Sequence, residues 1–486
     1  MHIPSRRVAL PCLGFALVSF LMIASTMTAS IRVHLKSKFF PYLRAPFAST
    51  TGTPITTSST ESGSGLPLTS NMSALSAFLS SNKRAFLADL ASKYGEGWTI
   101  VMGNEAGDLD SCASAIAFSY LSTTLDHTRT VALIQTPRAD LFLREENLLA
   151  FRLAHLDGQN ADLLTLDDIT SISPSFQLSS LRTTFALVDH NRILPQFLAD
   201  PKSQSELDRV VAIFDHHDDE GFHKSANPRE IRVPTGSCAS IVADYFRKRF
   251  PRSSGPEDAI SQTSSLLISA IAIDTGGLKE GGKAEPLDRS VSEFLYPISS
   301  FGAPSIAVDK PNKDSKTITE LTDALTDTKR DVSHLSGRDL LRRDYKESQF
   351  TSHDGNSIRV GLSTVPVGLN HWIDRDGAKK FWAAQDAWIK ERNLDISGVL
   401  TTFRTRVKGK HKREMLLVFP STGAVADAPT GLELKLYAAL EANQELEMER
   451  KEIAGIEGRK ARAWQQRNKQ ATRKTIAPLL KSILEE

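Results

Sequence analysis

The sequence predicts an α/β fold of two domains, a larger one built on a parallel sheet and a smaller α/β one, with a site in the cleft between them. Length is the first observation behind this, since 486 residues exceed what one ordinary core organises. The second is an alternation, from Trp98 onward, of short apolar runs with helix-patterned segments, as βαβ units require. The third is a change of texture after about Phe301, where the polar, turn-rich DKPNKDSK (309–316) precedes a new set of elements. A composition 40% hydrophobic and 24% charged excludes a membrane bundle and a mainly disordered chain.

Taken in order, residues 8–24 form an apolar run behind Arg6 and Arg7, the pattern of a signal-peptide core or short membrane anchor. The IRVHLKSKFFPYLR that follows is basic and acid-free like an organellar transit sequence, and Ala48 to Ser70 reads as a Ser/Thr-rich linker. Met72 opens the first globular pattern. The expected location is cytoplasmic if translation starts at Met72, or secretory, membrane-anchored or mitochondrial through residues 1–48. Residues 1–60 carry six Lys/Arg and no acid, so the rest of a chain of net charge +2 is at −4. Any anion-binding surface on the body must therefore be local. Cys12, Cys112 and Cys238 lie far apart without a CxxC pair, which leaves oxygen and imidazole as the metal donors.

WTIVMG (98–103) reads as a strand, GNEAGDLDS (103–111) as a polar turn and CASAIAFSYLSTTL (112–125) as a helix. TVALI (130–134), TFALVDHN (184–191) and RVVAIFDHH (209–217) repeat the strand pattern, and the last two end in Asp or His. SSLLISAIAIDTGGLK (264–279) has helix length and ends in Asp274 and two glycines. Polar residues at the carboxyl ends of parallel strands gather in one crevice, so these acidic loops converge. Beyond the boundary, TITELTDALTDTKRDV (317–332) is helical, SIRVGLSTV (357–365), ISGVLTTF (396–403) and MLLVF (415–419) are strands, and a long charged helix pattern starts near Leu432. Arg459, Lys460, Arg462, Arg467, Lys469, Arg473 and Lys474 then accumulate, as a solvated helix face or a polyanion site.

The chemistry rests on an ordered set. Asp108 and Asp110 place two carboxylates on one loop, able to reach different hard cations, although such residues also cap helices. Adjacent His216 and His217 after Asp215 point in different directions, so one can bind a metal while the other addresses substrate. GNEAGDLDS, VDHN, DHH and IDT stand in the order and spacing of the four motifs of the Asp-His-His (DHH) phosphoesterases, and the chain resembles that family, most of all its fungal-type exopolyphosphatases. RDYKES (343–348) and ATRKTIAPLL (471–480) look like the substrate-binding segments of a DHHA2-type second domain, which disfavours the nuclease branch.

The resemblance implies a DHH catalytic domain over 72–308 and a DHHA2 domain over 309–486. It implies that Asp108 binds one of two divalent ions, Asp110 the other, and Asp189 both, with His216 and Asp274 completing the second site. His217 would contact phosphate or the leaving oxygen, and Lys346, Arg473 and Lys474 the phosphoryl oxygens. Asn104 stands where the pyrophosphatases carry His; as a weak metal or water contact it suits a hard ion, so Mg²⁺ and Mn²⁺ are both expected. Lys279 and Lys283 add possible phosphate contacts, with exposed loop lysines as the plainer reading. The expected activity is release of terminal orthophosphate from inorganic polyphosphate. The alternatives are a pyrophosphatase or nucleotide-polyphosphate hydrolase, and a catalytically weak binding or regulatory protein. No specific nucleic acid is expected as a partner, and a membrane only through the N-terminal segment.

Overall fold

The computed structural model describes residues 72–255, 257–302, 316–405, 409–420 and 431–485. The targeting and linker readings of 1–71, and the residues 303–315 around the expected boundary, lie outside the described residues.

The first sheet contains β1 (Thr99–Met102), β2 (Thr130–Ile134), β3 (Leu164–Thr165), β4 (Thr184–Val188), β5 (Val210–Asp215) and β6 (Arg229–Ile231). All of its pairs are parallel, in the order β3-β2-β1-β4-β5-β6. Its strands read as continuous apolar runs because both faces are covered. Val101, Ala132, Ala186 and Phe214 face one core, while Ile100, Val131, Phe185 and Ile213 face the other. The strand order reverses between β1 and β4, so the chain leaves their carboxyl ends in opposite directions and opens a crevice there. The GNEAGDLDS turn leaves β1 and Asp189 leaves β4 at that crevice.

Helix Leu109–Asp126 starts within two residues of the β1 turn, with Asp108 as its N-cap. Gly103 makes this close return possible, because a Cβ there would lie 2.3 Å from Ser111 Cβ and 2.8 Å from Ser111 Cα. Gly103→Ala should cost about 1–3 kcal/mol through overpacking against backbone, read as a lower thermal midpoint. Helix Ala259–Thr275 is buried along almost all its length despite seven Ser, Thr and Gln residues, and hydroxyls of Thr263, Ser264, Ser265, Ser269 and Thr275 bond back to carbonyls four residues earlier. Gly276, in the left-handed region at φ 68°, ends it one turn-position after Asp274.

The second sheet holds β7 (Tyr345–Thr351), β8 (Ser357–Val365), β9 (Ile396–Arg404), β10 (His411–Val418), β11 (Met448–Lys451) and β12 (Ala461–Gln466), in the order β11-β12-β10-β9-β8-β7. It is mixed: β8 and β9 are parallel across the helices Leu369–Asp376 and Ala378–Arg392, and the other pairs are antiparallel. The long charged helix expected from Leu432 is corrected here. That region is helix Leu432–Ala442, two strands, and helix Arg473–Glu485. Gly455 and Gly458 turn the chain between the strands with positive φ, and Ala463 and Trp464 bury against the sheet.

The basic run is corrected with it. Arg459 pairs with Asp386, Lys460 with Glu433, Arg462 with Glu441 and Arg467 with Glu449, so most of its charge is already met. The two halves join through buried charge: Arg343 donates to both oxygens of Glu146 at 2.7 and 2.8 Å and to Leu143 O at 2.6 Å. No helix of the described residues is long and apolar enough to cross a membrane.

Candidate metal centre and substrate cleft

Asp189 follows β4 at φ 62°, a left-handed conformation that Asp adopts more readily than most residues. Asn104 Nδ2 at 2.8 Å and Ser111 Oγ at 2.6 Å both donate to its Oδ2. Its Oδ1 is turned to the histidines, 3.3 Å from His216 Nε2 and 3.7 Å from His217 Nδ1. Asp110 is buried against the start of helix Cys238–Phe246, accepting from Ser237 Oγ, Cys238 N and Ala239 N at 2.7–2.8 Å, with Oδ2 3.9 Å from His216 Nε2. Asp108 Oδ1 accepts from Ser111 N at 3.1 Å, the expected helix cap. Asp274 belongs to the same electrostatic group, coupled to Asp110, Asp108 and His216.

The two histidines are held in different ways. His216 Nδ1 donates to Thr235 O at 3.1 Å, which turns Nε2 to the carboxylates, where it carries the proton that binds Asp189 and, once that proton is lost, presents a lone pair. His217 Nδ1 donates to Asp215 Oδ1 at 2.7 Å, so its Nε2 is the open atom. Asp189, His216 and His217 have ligand atoms within 4.8 Å of one another. His217's nitrogen in that group is the one already engaged by Asp215, which favours His216 as the metal donor.

Two buried carboxylates, Asp110 and Asp189, are thus grouped with the half-buried Asp274 and His216, where water screens their charges only weakly. Burial, and then Asp189, push Asp110 up to about 7. Burial, and then Asp110 and Asp108, push Asp274 up to about 8. Burial alone would depress His216, but its hydrogen bond to Asp189 and the nearby acids raise it to about 10. Such a concentration of hard oxygen donors with an oriented imidazole lacks only positive charge, and fits divalent ions. Ion binding must expel the protons held by His216 and the raised carboxylates. Affinity should rise with pH through about 7 to 10, and calorimetry in two buffers of different ionisation enthalpy should show proton release.

Asn104 is placed differently from a ligand. Its Oδ1 accepts from Ala106 N at 2.9 Å while its amide nitrogen holds Asp189, and flipping the amide would lose both bonds. It shapes the loop and aims Asp189.

Across the crevice, Lys346 on β7 lies 3.6 Å from Glu105 Oε1. Arg473, at the start of the last helix, donates to Asp344 O at 3.1 Å and pairs with Asp344 Oδ1 at 2.9 Å, outside hydrogen-bond angles. Burial, offset in part by Asp189 and Asp215 and reinforced by Lys283 and Lys346, depresses Lys474, which puts it among these groups. Lys283 is thus within electrostatic reach of Lys474. Sequence reasoning missed Ser111, Thr235 and Asp344, whose roles depend on contacts between distant segments, and Lys329, a helix lysine that lowers Asp274.

Comparison with known proteins agrees with this construction. Residues 98–271 match the DHH family N-terminal domain and residues 323–483 the DHHA2 domain. A Schizosaccharomyces pombe protein named "Putative exopolyphosphatase" is 28% identical over 79% of this chain and 90% of its own length. Human "Exopolyphosphatase PRUNE1" is 26% identical over 79% of this chain and 75% of its own. A Lactobacillus helveticus "Probable manganese-dependent inorganic pyrophosphatase" is 24% identical over 62% of this chain and 80% of its own. With a DHH family N-terminal domain followed in order by a DHHA2 domain, the chain belongs to the DHH family with a DHHA2 second domain.

Proposed function

We propose that this protein is a metal-dependent exopolyphosphatase that hydrolyses the terminal phosphoanhydride of inorganic polyphosphate. The observation that carries it is the group of buried Asp110 and Asp189 with half-buried Asp274 and His216, set beside Lys346, Arg473 and Lys474. Relatives named as exopolyphosphatases cover more of the chain than those named as pyrophosphatases, which supports the long-chain substrate over pyrophosphate.

In this reading residues 72–308 form the catalytic domain and 309–486 the substrate-binding domain. Asp108, Asp110, Asp189, His216 and Asp274 would hold two ions, Mg²⁺ or Mn²⁺, with Asp189 contributing to both sites. When bound, the ions supply positive charge that acidifies the attacking water and neutralises the attacked phosphoryl group. Arg473 offers a planar, multi-donor guanidinium to phosphoryl oxygens, and Lys346 and Lys474 add point charges on the side of the departing chain. His217 gives a proton from Nε2 to the leaving oxygen, while Asp215 fixes its tautomer and steadies the charged ring. Asn104 keeps Asp189 aimed. The cytoplasm is the proposed compartment, with translation from Met72, and a fluorescent fusion of the full chain compared with one of 72–486 tests it.

The deciding experiment is phosphate release with Mg²⁺ or Mn²⁺ from long-chain polyphosphate, tripolyphosphate and pyrophosphate at equal phosphoanhydride concentration. Faster release from long chains supports the reading. Preference for pyrophosphate moves the function to the pyrophosphatase alternative, and inactivity on all three rejects both.

A further inference from the structure

The loop after β1 sends one acidic side chain toward the phosphate side of the cleft. Glu105 Oε1 is 3.6 Å from Lys346 Nζ, with the two side chains 38% and 41% exposed. The residue that follows it is held at both backbone atoms: Ala106 N donates to Asn104 Oδ1 at 2.9 Å, and Ala106 O accepts from buried Arg144 Nε at 2.9 Å. A carboxylate at the mouth of a polyanion site opposes binding, so its position needs a reason.

That reason lies in the charge of the departing group. When the terminal phosphate of a long chain is removed, the unit that leaves is internal and carries a single negative charge. When pyrophosphate is cleaved, the departing unit is itself terminal and carries up to two, since such a group loses its second proton near pH 6. In the reading above Lys346 stands on the side of the departing chain, on β7 across the crevice from the β1 loop and near Lys474. Lys346 with Glu105 beside it presents roughly one positive charge offset by one negative, an environment that accepts a singly charged phosphoryl and penalises a doubly charged one.

We propose that Glu105 is a specificity-determining residue that disfavours pyrophosphate by placing a fixed negative charge beside the lysine that receives the departing phosphoryl unit. The inference rests on the exopolyphosphatase reading and goes beyond it by naming the residue that reads chain position. It assigns Glu105 no part in bond breaking. One extra unit of charge a few ångströms away in a partly hydrated cleft is worth about a five- to tenfold preference.

The test is Glu105→Gln in the full chain, with Glu105→Asp as the charge-retaining control. In the Gln variant, kcat/KM for pyrophosphate should rise about five- to tenfold and that for long-chain polyphosphate by less than about twofold, while Glu105→Asp keeps the original ratio. Equal changes on both substrates, or a shifted ratio in the Asp control, overturn the proposal. Calorimetric binding of pyrophosphate and long-chain polyphosphate to metal-free protein separates this from failure of the catalytic reading. If the wild type hydrolyses neither substrate, the exopolyphosphatase assignment fails. The affinity ratio, shifted by Gln and not by Asp or else unshifted, still decides whether Glu105 discriminates.

Discussion

Asp189→Asn should lower turnover at least about a thousandfold while leaving the metal-free protein no less stable. Asp189 lies where every other group of the centre meets: Asn104 and Ser111 on one oxygen, His216 and His217 beside the other. Asparagine is isosteric and tolerates the φ of 62°, so the backbone has no reason to move. What changes is charge. Burial, and then the charge of Asp108, already raise the Asp189 carboxyl, so its ionised form is resisted by its surroundings and its removal relieves that strain. Loss of activity with an unchanged or higher thermal midpoint is the expected pair of results. Turnover within tenfold of wild type would remove Asp189 from the centre and revive the reading of this chain as a binding or regulatory protein.

Glu146→Ala should cost about 3–5 kcal/mol and loosen the junction between the two sheets. The carboxylate is buried and accepts from Arg343 Nη2 at both oxygens, and Arg144 Nη1 lies 3.5 Å away, so truncation leaves Arg343 charged and without its bonded acid partner. Glu146→Leu combined with Arg343→Met should recover most of the loss, because two apolar groups strand no charge. Arg343 adjoins Asp344, which holds Arg473, so the single variant should also raise KM. Chemical denaturation and steady-state kinetics on the same preparations read both effects.

The junction has a pH sign as well. Burial opposes the ionised form of Asp344, yet Arg473, Arg144 and Arg343 hold it down at about 2, against 3.8 unperturbed. A carboxyl depressed in the folded state contributes stability that is fully present above its unfolded value and lost as it protonates. The metal-free protein should therefore keep this contribution above pH about 4 and lose it between about 4 and 2.

Much of the first domain was legible in the sequence because a parallel sheet covered on both faces leaves an unmistakable record. The runs expected at 98–103, 130–134, 184–191 and 209–217 contain the strands Thr99–Met102, Thr130–Ile134, Thr184–Val188 and Val210–Asp215, and the segment that reaches Asp274 is a helix. The second domain was less legible at its end, where Arg and Lys at near-helical spacing masked two short strands. Their pairing with β10 and with each other comes from residues up to tens of positions away, and no local pattern reports it. The basic run was misleading for the same reason, since its acid partners lie on other elements.

The sequence by itself determined which chemistry this protein can carry: the acids, the paired histidines and the basic residues are all written in it, in order, at the ends of apolar runs. Tertiary structure decided how each one is used. The reversal of strand order between β1 and β4 brings Asp110 and Asp189 together, Thr235 and Asp215 each engage Nδ1 of adjacent histidines and so turn both Nε2 atoms outward, and Asn104 turns its nitrogen to Asp189. These are choices of hydrogen-bond partner and of burial, fixed by segments distant in the chain, so they exist only once the sheet has closed around them.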